Sequence, residues 1–124
     1  EMCIRDRAAL RHVVVVSSVA AIRGRSRNLV YGAAKRGLEF YAEALRHRLA
    51  AAGTTVLVVR AGFMDTTMLG HGRPGPLVAR PETVARALVA RLERNGLVYL
   101  PGWWALVALV LRLLPWSLFR RLRI

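Results

Sequence analysis

Apolar residues along the chain fall into short continuous runs that alternate with longer stretches of helical period. The runs at 13–16 and 54–60 are rich in β-branched residues, which is typical of strands buried on both faces of a sheet. The predicted elements, in chain order, are a strand at 12–17, a helix at 29–52, a strand at 54–60, a helix that begins at Pro81 and a strand at 97–100. Strands that alternate with helices in this way predict an α/β fold with a parallel half-sheet.

The spacing of apolar residues predicts an inner and an outer face for the helix at 29–52. Gly53 is a signal for the end of this helix. The apolar positions expected in the core recur every three or four residues and are Val30, Ala34, Leu38, Tyr41, Leu45 and Leu49. The charged positions expected in solvent are Arg36, Glu39, Glu43 and Arg46.

The second predicted helix carries charges that suit the helix dipole. Pro81 and Glu82 occupy its first turn, and Arg91 and Arg94 occupy its last turn before Gly96. Its inward positions are Val84, Leu88 and Leu92.

Lys35 is the only lysine in the chain, and it stands four residues after Tyr31. Residues four apart on a helix share a face, so the ammonium would lie beside the phenol and favour its phenolate form. Such a phenol could protonate the oxygen of a ketone that receives a hydride, while a hydroxyl thirteen residues upstream, that of Ser18, steadies the same oxygen. The alternative interpretation is a packed ring beside a solvated charge.

Ser17 and Ser18 strengthen the catalytic interpretation because they follow the apolar run at 13–16 directly. Open α/β sheets bind ligands at the carboxyl ends of their strands. The sequence therefore predicts that the two serines lie at the end of the strand where a ligand would bind.

These motifs resemble those of the short-chain dehydrogenase/reductase family. The matching segments are Val-Val-Ser-Ser-Val-Ala at 15–20, Tyr-Gly-Ala-Ala-Lys at 31–35 and Arg-Ala-Gly-Phe-Met-Asp-Thr at 60–66. The resemblance implies the C-terminal half of a Rossmann-type doubly wound parallel sheet, an NAD(P)-dependent oxidoreductase activity and a substrate lid at 61–80. It also implies the catalytic residues Ser18, Tyr31 and Lys35.

The resemblance further implies a nicotinamide site. Tyr31 and Lys35 would touch the ribose, and the carboxamide would be held by Gly62, the backbone of Met64 and Thr66. The implied cofactor is NAD(P)H, with NADH slightly favoured. Ala61 and Met64 depart from the family, which has proline and valine at these places. Without that proline's fixed φ, the cofactor loop would be less rigid.

The first half of such a domain is missing from the sequence. No Gly-rich turn that opens a helix is present, and Gly70-His-Gly-Arg-Pro-Gly75 follows no clean strand. We therefore expect a partial domain at 8–101 that is inactive by itself. Residues 1–7, which include the single cysteine Cys3, are interpreted as a non-native leader. The three histidines are not spaced as a metal set, so no metal site is predicted. Of the three, only His71, in the lid loop, is a candidate for a functional role.

The segment 102–124 is predicted to be an apolar and basic tail. Residues 103–111 are continuously apolar, and the sequence ends in Arg-Arg-Leu-Arg-Ile. This stretch is shorter than the ~20 residues that span a bilayer, but tryptophans beside a basic end suit a helix in the membrane interface. A core helix or an oligomer contact is the alternative. The formal net charge of +13 favours acidic partners, but the arginines are scattered, so no nucleic-acid partner is predicted.

The tail and the loop at 18–31 resemble those of the decaprenylphosphoryl-2-keto-ribose reductases, a group within the family. That resemblance implies a polyprenyl-phosphate-linked 2-keto-pentose as substrate, in the synthesis of cell-wall arabinan precursors. Arg23, Arg25 and Arg27 would then either meet the phosphate or form a solvated loop. The alternatives are a reductase of another lipid or small ketone and a non-enzymatic basic membrane-binding module. We expect a cytoplasmic protein, peripheral at the inner face of the plasma membrane. At full length it would form a homo-oligomer or work with a partner oxidase.

Overall fold

The computed structural model describes residues 11–64 and 77–122. The helices and strands, in chain order, are β1 (His12–Ser18), α1 (Leu29–Leu49), β2 (Thr55–Ala61), β3 (Phe63–Met64), β4 (Val78–Ala79), α2 (Pro81–Val89), β5 (Gly96–Leu100), α3 (Trp104–Leu113) and α4 (Trp116–Phe119). The prediction of a parallel α/β sheet is confirmed, because β1, β2 and β5 form one parallel sheet in the order β1-β2-β5. The two short strands β3 and β4 pair separately, also in parallel.

Helix α1 covers one face of this sheet, but not with the whole stripe that the sequence predicts. Val30 is 83% exposed and Tyr41 is 57% exposed, and Ala34 also lies in solvent. Ala42 is instead the residue in contact with the apolar side chains of β1 and β2, and Leu45 and Leu49 pack beside it as expected. The helix is apolar on more than one side, so periodicity alone does not select the face that packs.

Two contacts select the packed face of α1. A Cβ at Gly32 would lie 3.0 Å from the carbonyl oxygen of Ala20, which is tighter than most Cβ contacts, so glycine lets the helix approach this closely without a shift of the turn. Glu39, predicted to lie in solvent, is buried because it pairs with Arg60 of β2. The face of α1 that meets solvent therefore differs from the predicted one, which included Glu39.

Helix α2 covers the opposite face of the sheet. It begins at Pro81 as predicted, and Val84 is buried against Leu57 and Val59 of β2. Leu88 packs against the same cluster, which agrees with its predicted inward position. The sheet is thus a central layer between helices.

The tail folds back onto the face that α1 covers. Trp104 and Ala108 of α3 pack against Val19 and Ile22, which lie just after β1. In the part of the chain that the structure describes, no helix is both long enough and apolar enough to cross a membrane.

Candidate active site

The candidate site lies at the carboxyl end of the three-stranded sheet. Parallel register places Ser18 beside Ala61, and Ala61 beside Leu100. The segments that leave the strands at this edge therefore start side by side, which is where an open α/β sheet binds its ligands.

Ser18 is the last residue of β1, and its side chain caps the short 3-10 turn at Val19–Ala21. The Ser18 hydroxyl oxygen accepts a hydrogen bond of 3.1 Å from the backbone amide of Ala20. This bond uses a lone pair of the oxygen and fixes the side chain. A serine hydroxyl also carries one proton, which it can still donate. The proton is thus the group that Ser18 can offer to a bound oxygen atom.

Tyr31 and Lys35 reach the same region from the first turns of α1. Gly32, the residue after Tyr31, lies against the backbone of Ala20 in the turn that follows Ser18. The Lys35 ammonium donates a hydrogen bond of 2.9 Å to the carbonyl oxygen of Val16 in β1. Its nitrogen lies 5.9 Å from the centre of the Tyr31 ring. The structure therefore brings the three predicted catalytic residues to one end of the sheet.

A buried network of polar side chains lies next to this end of the sheet and joins its strands to α1. Arg60 is 2% exposed and donates to both carboxylate oxygens of Glu39, over 2.7 and 2.6 Å. The hydroxyl of Ser17 donates to Glu39 over 2.7 Å, and Arg60 also donates to the hydroxyl of Tyr99 over 2.6 Å. The network ties β1, α1, β2 and β5 together directly behind Ser18.

The charges of this network hold each other in the ionised state. Burial alone would raise the pKa of Glu39, but hydrogen bonds from Arg60 and Ser17 and the charge of Arg60 outweigh it and leave the pKa lowered. Burial would likewise lower the pKa of Arg60, but its bonds to Glu39 leave it raised. Sequence reasoning missed Glu39. The available signal was an arginine at the end of a buried strand, which requires a carboxylate partner.

Gly62, predicted to hold the nicotinamide carboxamide, lies against the tail. A Cβ at Gly62 would lie 1.9 Å from Nε1 of the Trp104 indole, so the ring fills the space of a side chain. Phe63 meets the same indole edge-on with ring centres 5.3 Å apart, and Trp103 stacks on it at 4.6 Å. Trp104 is thus the neighbour that requires glycine at position 62.

Arg23 has a role different from both of those predicted for it. Its guanidinium donates hydrogen bonds of 2.7 and 2.6 Å to the carbonyl oxygens of Leu111 and Leu114, at the end of α3. It also lies 4.0 Å from the centre of the buried Phe119 ring. Arg23 therefore fastens the tail to the segment that follows Ser18, because its guanidinium donates to backbone carbonyls of the tail.

The donor groups at this edge suit the nicotinamide ribose of NAD(P)H. The Lys35 ammonium has three N–H donors, and the bond to Val16 uses one of them. The remaining donors and the Tyr31 hydroxyl, on a side chain that is 39% exposed, could reach ribose hydroxyls. Met64 lies in β3, paired with Ala79 of β4. Thr66, like His71 and the segment 1–7 interpreted as a leader, lies outside the described residues.

Comparison with known proteins identifies the family of the chain. A family model for the short chain dehydrogenases matches residues 6–76. An uncharacterized oxidoreductase of Mycobacterium tuberculosis is 44% identical over 114 residues, which cover 89% of this chain and 45% of that protein. An uncharacterized oxidoreductase of Streptomyces coelicolor is 40% identical over 114 residues, which cover 89% of this chain and 44% of that protein. The chain spans about half the length of the curated relatives it matches. Because the family model covers more than half of the 124 residues, the chain belongs to the short-chain dehydrogenase family.

Proposed function

We propose that the full-length protein is an NAD(P)H-dependent reductase that converts a keto group into an alcohol. The observation that carries this proposal is the meeting of Lys35, Tyr31 and the turn after Ser18 at the carboxyl end of the sheet. A phenol, an ammonium and a serine hydroxyl together can bind and protonate a carbonyl oxygen.

Each of these groups has a separate role in the proposed reaction. When bound, NAD(P)H would supply a hydride to the carbonyl carbon, and the electron pair of the C=O bond would move to the oxygen. The Ser18 hydroxyl donates a hydrogen bond to the oxygen as negative charge grows there. The Tyr31 hydroxyl gives up its proton to that oxygen, with the Lys35 ammonium 5.9 Å from the centre of the Tyr31 ring.

The finer proposal is that the keto group belongs to a 2-keto-pentose carried on a polyprenyl phosphate. It is supported by the resemblance of the tail and of the loop at 18–31 to reductases with that substrate. The engagement of Arg23 by the tail leaves Arg25 and Arg27 as candidates for the phosphate. Arg27 is exposed and Arg25 is half-buried.

The test is an assay of the full-length protein with a panel of ketones and with each of NADH and NADPH. The panel contains a lipid-linked keto-pentose, the same sugar without its lipid, and simple ketones. We expect oxidation of the cofactor that depends on a ketone, with the lipid-linked sugar as the fastest substrate. No oxidation with any ketone would overturn the reductase proposal, and preference for a simple ketone would overturn only the substrate proposal.

A further inference from the structure

Helix α3 presents apolar residues on two faces, and only one of these faces packs against the protein. Trp104, Val107, Ala108 and Leu111 follow helical spacing and contact the residues after β1. The other face carries Leu106, Leu109, Val110 and Leu113, at positions that share one side of a helix. All four are exposed, and Leu106 and Leu113 are exposed by 67% and 73%.

Exposed apolar side chains continue beyond this helix. They are Trp116, Leu118 and Leu122. We call these three residues, together with the outward face of α3, the tail surface. Seven exposed apolar residues within 17 positions are unusual for a surface that meets only water.

The charged side chains of the tail segment are all basic. No aspartate or glutamate follows Glu93 in the chain. Arg112, Arg120 and Arg121 are exposed in the same segment. The described tail segment thus combines an exposed apolar surface with exposed arginines, which is the composition of helices that lie in the headgroup region of a bilayer.

We propose that the tail surface docks onto an anionic lipid bilayer. The bilayer would bury the exposed leucines and tryptophan, and its headgroups would neutralise the bordering arginines. A second copy of the chain is a poorer occupant, because two tail surfaces placed face to face would bring arginines together without any acidic partner from that segment.

Docking in this position would also bring the candidate active site to the membrane. Arg23 bonds to the end of α3 and lies five residues after Ser18. The carboxyl end of the sheet would therefore stay beside the lipid surface, which suits a lipid-borne ketone. Only this consequence rests on the proposed function, because docking itself is measured without any assay of activity.

The test is flotation of the protein with lipid vesicles. Vesicles of phosphatidylcholine alone are compared with vesicles that also contain phosphatidylglycerol. We expect flotation with the anionic vesicles and much less with the neutral ones. Leu106→Ser with Leu113→Ser should lower the partition coefficient about tenfold for each leucine, and Arg120→Gln with Arg121→Gln should lower it about fivefold for each arginine on anionic vesicles only.

The matched control is Phe40→Ser with Val89→Ser, which removes two exposed apolar side chains from α1 and α2. The control should float like the unchanged protein, and circular dichroism should show all variants folded. No flotation, or equal loss in the control and in the leucine variant, would overturn the proposal. The proposal would also be overturned if the unchanged protein did not bind vesicles and the leucine substitutions dissociated a dimer of the chain.

Depth measurements give a second, independent readout. Vesicles with brominated acyl chains quench tryptophans that enter the bilayer. Trp116 is 67% exposed and Trp104 is 5% exposed, so Trp116→Phe should remove much more of the quenching than Trp104→Phe. The opposite result would overturn the proposed orientation of the tail. Flotation and quenching must give the same results with the full-length protein. If the rest of the full-length protein covered the tail surface, both flotation and quenching would be lost, and the proposal would be overturned.

Discussion

Arg60 and Glu39 form a two-pronged buried ion pair, although 21 residues separate them in the sequence. Glu39 lies on α1, which also carries Tyr31 and Lys35, and Arg60 lies one residue before the partner of Ser18 in β2. The pair therefore fixes the helix that holds the phenol relative to the strands that end at the site.

Removal of the Glu39 charge should destabilise the protein strongly. Glu39→Gln keeps the size of the side chain but leaves the Arg60 guanidinium buried without a counter-charge. We expect the free energy of unfolding to fall by about 3 kcal/mol, as measured by urea denaturation. Glu43→Gln, at an exposed position of the same helix, should change it by less than about 0.5 kcal/mol. Equal effects of the two substitutions would contradict the buried pair.

The same pair predicts a dependence of stability on pH. Because the pKa of Glu39 is lowered by folding, its contribution is complete above the ordinary value of 4.5 and is lost as the pH falls through the lowered folded value. The unfolding free energy of the unchanged protein should therefore approach that of Glu39→Gln as the pH drops below 4.5. A difference between the two proteins that stayed constant down to strong acid would contradict this assignment.

Gly62 should not tolerate even a methyl group. Gly62→Ala would place a Cβ 1.9 Å from the Trp104 indole, so the ring or the strand end must shift. We expect a loss of about 1–3 kcal/mol in thermal or urea unfolding. Gly37→Ala is the matched control, because a Cβ there meets no atom within 4 Å and the position is helical. That control should stabilise the protein by about 0.5–1 kcal/mol.

Loss of Arg23 should release the tail from the segment after Ser18. Arg23→Gln removes the charged donor to the carbonyls of Leu111 and Leu114 and the contact with Phe119. We expect faster amide hydrogen exchange in α3 and α4 with little change in β2, and a loss of about 1.5–3 kcal/mol. Arg27→Gln, at an exposed position of the same loop, should leave exchange in the tail unchanged. Unchanged tail exchange in Arg23→Gln would refute the proposed fastening.

The order of strands and helices could be predicted from the sequence because local patterns encode it. Short β-branched runs, Pro81 at a helix start and the placement of Ser18 at a strand end are all read from near neighbours. The inner face of α1 could not be predicted in the same way. Its selection depends on Glu39 meeting Arg60 and on Gly32 meeting Ala20, and both contacts join different elements.

The attachment of the tail was also beyond sequence reasoning. Arg23 lies 88 residues from Leu111, and nothing near either residue indicates the other. The loop arginines look alike in the sequence, and only the packing of α3 distinguishes Arg23 from Arg25 and Arg27. The candidate site was easier to predict because Ser18, Tyr31 and Lys35 lie within one strand–helix unit.

The proposed reaction depends most on Tyr31 as the proton donor. The direct measurement is kcat/KM for ketone reduction by the full-length protein carrying Tyr31→Phe. Tyr41→Phe, at an exposed tyrosine farther along α1, is the control. We predict a fall of at least about 100-fold for Tyr31→Phe and no change for Tyr41→Phe. A Tyr31→Phe protein with an unchanged kcat/KM would contradict the central claim.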